Sequence, residues 1–422
     1  MLALLGLSMI LTFIVLIMTK KLSPLVALTL IPVIFGLIAG AGSGIGKMME
    51  DGLKATAPTG VLLIFGIMYF GIMFEAGLFE PLINKMLQFA KGDPLKVIMG
   101  TCILSLIVAL DGDGAATYLI MVGAMLPVYK RLEINPLILT SILTLCVGIM
   151  IKLPWTGAAA RLCTLNINPS ELFIPLIPGM LASVVWVLFL AYLFGKREQK
   201  RLGIQHIELP EKMKNENIKG LIFNFLLTIL LMVSLVLGWF PVSVSFMIGL
   251  SIALIINFPN LDVQRKKLAA HASSALSVGS MVFAAGIFTG ILTGTKMLDA
   301  MAQSFIRIIP DSLGPNISVV TAITSMPFTY FITNEAYFFG IVPVTSVTAA
   351  HFGVSAAEIG RASLLGQSVH MLSPLIASIY LLVELAGVNY ADHQRFTLKW
   401  AVVTVLIMLV VSILTGAISL HL

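Results

Sequence analysis

Runs of apolar residues punctuated by short polar loops organise this 422-residue chain. Ten of them reach the length a helix needs to cross the ~30 Å hydrocarbon layer of a bilayer at about 1.5 Å per residue. They cover residues 2–19, 22–41, 57–78, 136–160, 172–195, 219–238, 240–257, 273–294, 356–386 and 397–420. Two further apolar runs, 96–130 and 315–347, are broken in the middle, the first by Asp111-Gly112-Asp113-Gly114 and the second by Thr333-Asn334-Glu335. Each arm has about 14 or 15 residues, ~21 Å as helix, too short to cross alone, so each run is predicted to form a re-entrant hairpin. Non-helical backbone at membrane depth is tolerated only against protein or a water-filled cavity, which places a cavity at both tips.

Sliding the chain against itself by about 220 residues brings YFGIMFEAGLFEPL (69–82) onto FTGILTGTKMLDAM (288–301), the first tip onto the second, and GIMIKLPWTG (148–157) onto HMLSP (370–374). Pro154 then faces Pro374, and each proline interrupts an apolar span by removing a backbone bond and crowding the preceding turn. Five spans per half is an odd number, so the second half must be inverted relative to the first. The predicted fold is therefore an all-α polytopic membrane protein of two inverted repeats, each with five transmembrane helices, a re-entrant hairpin and an interrupted helix. Such repeats are a signature of secondary transporters, and some channels share them. The first repeat spans 1–195 (scaffold helices 1–90, transport hairpin and helices 95–195). A cytoplasmic linker covers 196–218, and the second repeat spans 219–422 (scaffold 219–300, transport elements 315–422).

Composition agrees, with 58% hydrophobic and 11% charged residues and a mean hydropathy of +1.02, outside the range of soluble globular domains. A net charge of +6 would suggest nucleic acid in a soluble chain, but here basic residues mark cytoplasmic loops, and no nucleic-acid partner is expected. With both termini outside the cell membrane, 19 of the 26 basic residues fall inside. Lys152, Arg161 and Arg361 remain within or at the ends of apolar segments. Cys102, Cys146 and Cys163 lie in apolar surroundings and are read as packing residues. The opening stretch has no charged leader, so it is expected to be retained as a first helix. No nucleophile–base pair of catalytic spacing appears, so no enzyme and no resident cofactor is expected.

A carboxylate at the bilayer centre costs roughly 2.5–3.5 kcal/mol, so Asp111 and Asp113 require a cation, a proton or water. Gly112 and Gly114 let the chain reverse beside a ligand, and the second arm then starts near Ala115 with its amides facing the tip, which favours anions. At the other tip Thr333, Asn334 and Glu335 offer a hydroxyl, an amide and a third acid, with Asn334 expected both to cap the second arm and to contact ligand. Arg161 carries a planar fork suited to a carboxylate, or snorkels to the interface. His370 is suited to carry a proton, or is a buried histidine satisfied by backbone.

With these residues in view, the chain resembles the citrate-metal-proton symporter family (CitMHS) within the ion-transporter superfamily. The most specific stretches are GDPLK (92–96), ALDGDGAATYLI (109–120), SMPFTYFITNEAYFFGIVP (325–343), ASLLGQSVHMLSP (362–374) and DHQRFTLKWA (392–401). The resemblance implies uptake of citrate or a related carboxylate, complexed with a divalent cation such as magnesium or calcium and coupled to protons. It also implies two subunits and an elevator-like motion. On this reading Asp111, Asp113 and Glu335 handle the cation. Gly112, Asp113, Gly114, Thr156, Gly157, Arg161, Thr333, Asn334 and Ser373 hold the substrate, with His370 as proton-coupling candidate. The second tip departs from the family's Ser-Asn-Asp, and the first break from Pro-Trp-Gly-Gly-Pro. Lys152 stands where a small polar residue is expected, in a position to take the place of a cation. A sodium-coupled di- or tricarboxylate carrier and an ion channel are the alternative readings, and the absence of a Ser-Asn-Thr triplet at either tip counts against the first.

Overall fold

Short polar residues followed by proline start several of the helices. Ser23, Asp93, Asn135 and Asn168 each precede a proline at the first helical position, and each side chain accepts a backbone N–H of the opening turn. The polar atom satisfies an amide the helix leaves without a partner, while proline needs none. Asn260, Ser355 and Asn389 cap later helices in the same way without proline.

The structure is a computed structural model, and it describes every residue except 20, 79–85, 87–89, 91, 113, 166, 205–217, 238, 308–309, 311–312 and 422. The described residues form helices and their connections, with no strand. In the first half these are α1 (Leu2–Met18), α2 (Pro24–Ile38), α3 (Ile45–Glu75), α4 (Pro94–Val108), α5 (Gly114–Arg131), α6 (Pro136–Met150), α7 (Gly157–Cys163) and α8 (Pro169–Leu202). The second half contains α9 (Ile218–Leu237), α10 (Val242–Asn257), α11 (Leu261–Gly294), α12 (Met297–Ile306), α13 (Ile317–Phe331) and α14 (Ala336–His351). It ends with α15 (Ala356–Leu365), α16 (Gln367–His370), α17 (Ala377–Ala386) and α18 (Tyr390–Leu414). Among the described residues Gly42–Glu75, α8, α11 and α18 are long and apolar enough to cross a membrane, and shorter apolar helices make up most of the rest.

Two of the long helices start earlier than hydropathy predicts. The spans expected at 57–78 and 273–294 lie on α3 and α11, which begin at Ile45 and Leu261, about three turns sooner. Charged residues close a hydropathy window but not a helix. Glu50 and Lys54, four residues apart and exposed, pair at 2.5 Å along α3. The span expected at 172–195 likewise extends to Pro169–Leu202.

α3 and α11 cross with their backbones in contact. A Cβ on Gly52 would stand 2.0 Å from the Gly286 carbonyl oxygen, and one on Gly290 would stand 2.3 Å from that of Met48. Such small-residue crossings are how helices associate where lipid removes the hydrophobic drive. Around this crossing gather α1, α2 and α12 on one side and α10, backed by α9, on another. The second group of helices is built on α8, which packs against α4 and α18, while α5 lies on α17 and α13 on α15. Trp155 joins the groups, its ring 5.9 Å from Phe70 on α3 and 5.7 Å from Phe246 on α10.

The breaks fall within the predicted runs. α4 ends at Val108 and α5 begins at Gly114, and α13 ends at Phe331 and α14 begins at Ala336. The span expected at 136–160 stops at Met150 and resumes at Gly157, with Pro154 in the gap. That expected at 356–386 opens after His370, with Pro374 in its gap.

Candidate functional site

At the first tip, α4 tightens into a 3-10 turn at Ala109–Asp111, and Gly112 then takes the left-handed conformation at φ +78° before α5 begins at Gly114. A Cβ at Gly112 would lie 2.7 Å from Thr156 Cγ2, so the tip rests directly on the first helix break. The Trp155 indole N–H donates to the Leu110 carbonyl at 2.7 Å and holds the two together. Thr156, expected on the ligand, instead directs its hydroxyl to the carbonyls of Ile151 (2.5 Å) and Leu153 (2.8 Å), closing its own break. Asp113 lies outside the described residues, and of Asp111 only the backbone is described.

The second tip is joined to the second break as closely. Asn334 and Gln367 exchange two amide hydrogen bonds, of 3.1 and 3.0 Å, and both are buried. The expected cap on the second arm therefore falls to Thr333, whose hydroxyl accepts the Ala336 N–H at 3.2 Å, because the Asn334 amide is engaged across the break. Ser373, also expected on the ligand, is buried and donates to the Tyr330 carbonyl at 2.7 Å. A carbonyl only accepts, so His370 carries a hydrogen on Nδ1, directed at Thr329 O, and Nε2 is the nitrogen left to take a proton. The second arm opens as a π-helical turn, Ala336–Ile341, a feature that frequents functional sites.

Two charged side chains tie the pairs of breaks to each other. Arg161, on α7, donates through Nη2 to Glu335 Oε1 at the second tip, and the two side chains keep only 17% and 13% of their surface exposed. A residue predicted to hold the anionic substrate and one predicted to hold the cation thus satisfy one another. Lys152 is fully buried and donates to the Gly148 carbonyl and, at 2.8 Å, to the Ser368 hydroxyl on α16. The main chains are close there, with a Cβ on Gly148 standing 3.0 Å from Ser368 Cα. The circuit closes where Gly114 meets Met371, a Cβ on the glycine standing 3.3 Å from Met371 Cε. All four breaks therefore converge.

Sequence reading missed Gln367 and Ser368, although polar side chains in an otherwise apolar run were a usable signal. It also left Arg361 without a role. That guanidinium donates to the carbonyls of Ala417 (2.7 Å) and Glu171 (2.9 Å), pinning the C-terminal segment over α8 and α15. All three cysteines are buried and free, as expected of packing residues. No group of three or more His, Cys, Asp or Glu gathers among the described residues, and Glu335 is the one member of the predicted cation set whose side chain is described. Two cavities of ≈ 500 and ≈ 580 Å³ flank the end of α7. The first is lined by Asp51, Thr164, Thr289 and Ser346, and the second by Thr59, Cys163, Asn168 and Ser243.

Four long apolar helices, with shorter ones meeting at four converging breaks, make the described residues an all-helical membrane-protein fold, and two solved transporters share that fold. The Alcanivorax borkumensis YdaH transporter superposes with a TM-score of 0.55 at 12% identity, over 87% of each chain. Neisseria gonorrhoeae MtrF, of a class of antimetabolite efflux pumps, does so with a TM-score of 0.58 at 12% identity, over 90% of this chain and 86% of that one. The chain belongs to the citrate transporter family, CitMHS, whose family model matches residues 3–366. A citrate transporter of Bacillus subtilis (strain 168) is 51% identical over 425 residues, 99% of this chain and 100% of that protein. A Mg(2+)/citrate complex secondary transporter of the same organism is 48% identical over 430 residues, 99% of each.

Proposed function

We propose that this chain is a secondary active transporter that takes up citrate as a complex with a divalent metal, driven by protons. The observation that carries the reading is the Arg161–Glu335 pair spanning the first break and the second tip. A metal–citrate complex is itself an anion joined to a cation, and it exchanges partners with this pair. Arg161 turns its fork to a citrate carboxylate. Glu335 turns to the metal together with Asp111 and Asp113, supplying the hard oxygen ligands magnesium and calcium take. Citrate alone would take Arg161 and leave Glu335 buried without a counter-charge, and metal alone would do the reverse, so the complex is favoured over either part. The 48%-identical relative, named for the Mg(2+)/citrate complex, supports this choice of cargo.

Gly112, Gly114 and Gly157 lend backbone amides to the anion, and Asn334 joins it once released from Gln367. Thr156, Thr333 and Ser373 reach it on leaving the backbone groups they now engage. His370 takes the coupled proton on Nε2. In each half of the chain two helices meet at a polar break and a proline-interrupted helix follows, an order of elements that supports the reading of two inverted repeats with re-entrant tips. In this reading α4–α8 and α13–α18 move as an elevator against the α3–α11 crossing, in a homodimer in the cell membrane with both termini outside.

The test is uptake of radiolabelled citrate into proteoliposomes under an inward proton gradient, with and without magnesium or calcium. Uptake should need the metal and collapse when the gradient is dissipated, and Asp113→Asn should greatly reduce it. Metal-independent uptake, or normal uptake by Asp113→Asn, overturns the cation assignment.

A further inference from the structure

We propose that the ammonium of Lys152 is a resident, untransported cation that occupies the place of a coupling monovalent cation at the broken end of α6. The proposal rests on the transporter reading above for its transport readout, and on geometry for its site. Lys152 lies two residues beyond the end of α6 and bends back to the carbonyl of Gly148, in the last turn of that helix. Its second acceptor, Ser368 Oγ at 2.8 Å, belongs to the short α16 of the other broken helix, and the same hydroxyl donates to Gly148 O at 3.0 Å.

A lysine that merely caps a helix keeps its charged head in water. This one is 0% exposed, and the ion pairs among the described residues include no carboxylate on it. What surrounds the charge is a carbonyl of a helix C-terminus, the negative end of its dipole, and a hydroxyl. Half-helix C-terminal ends and unwound carbonyls are also the groups with which secondary transporters coordinate their coupling cations. The ammonium presents the same single positive charge to the same kind of acceptors, differing from a bound sodium ion in being tethered. An anionic cargo arriving between the breaks therefore meets an ammonium that is tethered in place and never released, and this half of the site needs no sodium.

The purified full-length chain is compared with Lys152→Ala, which opens the volume, Lys152→Gln, which fills it without charge, and Lys152→Arg, which keeps the charge. In sodium chloride against choline chloride, the melting temperature of Lys152→Ala should rise with sodium in a saturating way, because the ion binds the folded state, and that of the wild type should not. In proteoliposomes, wild-type uptake of magnesium citrate should be equal in the two salts. Uptake by Lys152→Ala should drop between about 5-fold and 150-fold in choline, the ordinary span of coupling between two bound ligands, and recover in sodium. Lys152→Gln should be inactive in both salts, and Lys152→Arg active in both. Wild-type-like uptake in choline by Lys152→Gln, or melting and uptake of Lys152→Ala indifferent to sodium, overturns the proposal. So does a Lys152→Arg variant that exchanges citrate but no longer accumulates it under a proton gradient, which would make the lysine a proton carrier. If the wild type takes up no citrate at all, the functional reading fails instead, and the sodium-dependent melting still decides the lysine.

Discussion

Arg161 and Glu335 offer the sharpest perturbation because they are paired, mostly buried and 174 residues apart. Arg161→Met leaves the Glu335 carboxylate, 13% exposed, without its counter-charge, and Glu335→Gln strands the guanidinium in the same way. Breaking a buried pair by removing one partner costs ~3–5 kcal/mol. The residual exposure here places the cost at the lower end, about 3 kcal/mol, or roughly a hundredfold in the population of the native arrangement. The double variant Arg161→Met/Glu335→Gln removes both charges. Replacing a buried pair by neutral side chains is often close to neutral for stability, so most of the loss should return, appearing as a favourable coupling in the double-mutant cycle. Transport should not return, because on the proposed function these are the two groups that exchange with metal and citrate. Thermal unfolding of the purified variants reports the first quantity, and magnesium citrate uptake in proteoliposomes the second. Wild-type uptake by the double variant would show that the pair is only a staple between two helices. Single variants as stable as the wild type would refute the energetic argument.

Gly112→Ala is expected to cost about 1–2 kcal/mol for its left-handed backbone alone and to push Thr156, 2.7 Å from the new methyl group. Adding Thr156→Ala should relieve the contact and restore only part of the uptake. Gly52→Ala places a methyl carbon 2.0 Å from the Gly286 carbonyl oxygen, backbone against backbone, so the α3–α11 crossing should open and the yield of monodisperse protein collapse on size-exclusion chromatography. Trp155→Phe keeps an aromatic ring against Phe70 and Phe246 but loses the hydrogen bond to Leu110. A loss of ~1 kcal/mol, or about fivefold in apparent citrate affinity, should follow in uptake titrations. Gln367→Leu leaves the buried Asn334 amide without its partner and should lower stability by about 1–3 kcal/mol, read as a fall in melting temperature.

Local order was legible where one residue decides it. Glycine or proline marked the breaks at Gly112, Pro154 and Pro374, and the polar caps before Pro24, Pro94, Pro136 and Pro169 are equally local, although hydropathy, which passes over them, set the expected starts at 22, 96, 136 and 172. Hydropathy located the long helices but misplaced the starts of α3 and α11, because a helix continues through charged residues that remain in water. Thr333 took the cap expected of Asn334, since the tertiary contact with Gln367 outbid the local one.

Sequence alone determined that this chain is helical and apolar, that it breaks at four places, and that charge and small polar groups collect at those breaks, because these properties depend on neighbours a few residues apart. Only the tertiary structure decided which break meets which. Arg161 finds Glu335 across 174 residues and Lys152 finds Ser368 across 216, and whether a buried charge ends on an acid or on a hydroxyl is a matter of packing between distant helices, which no local pattern encodes.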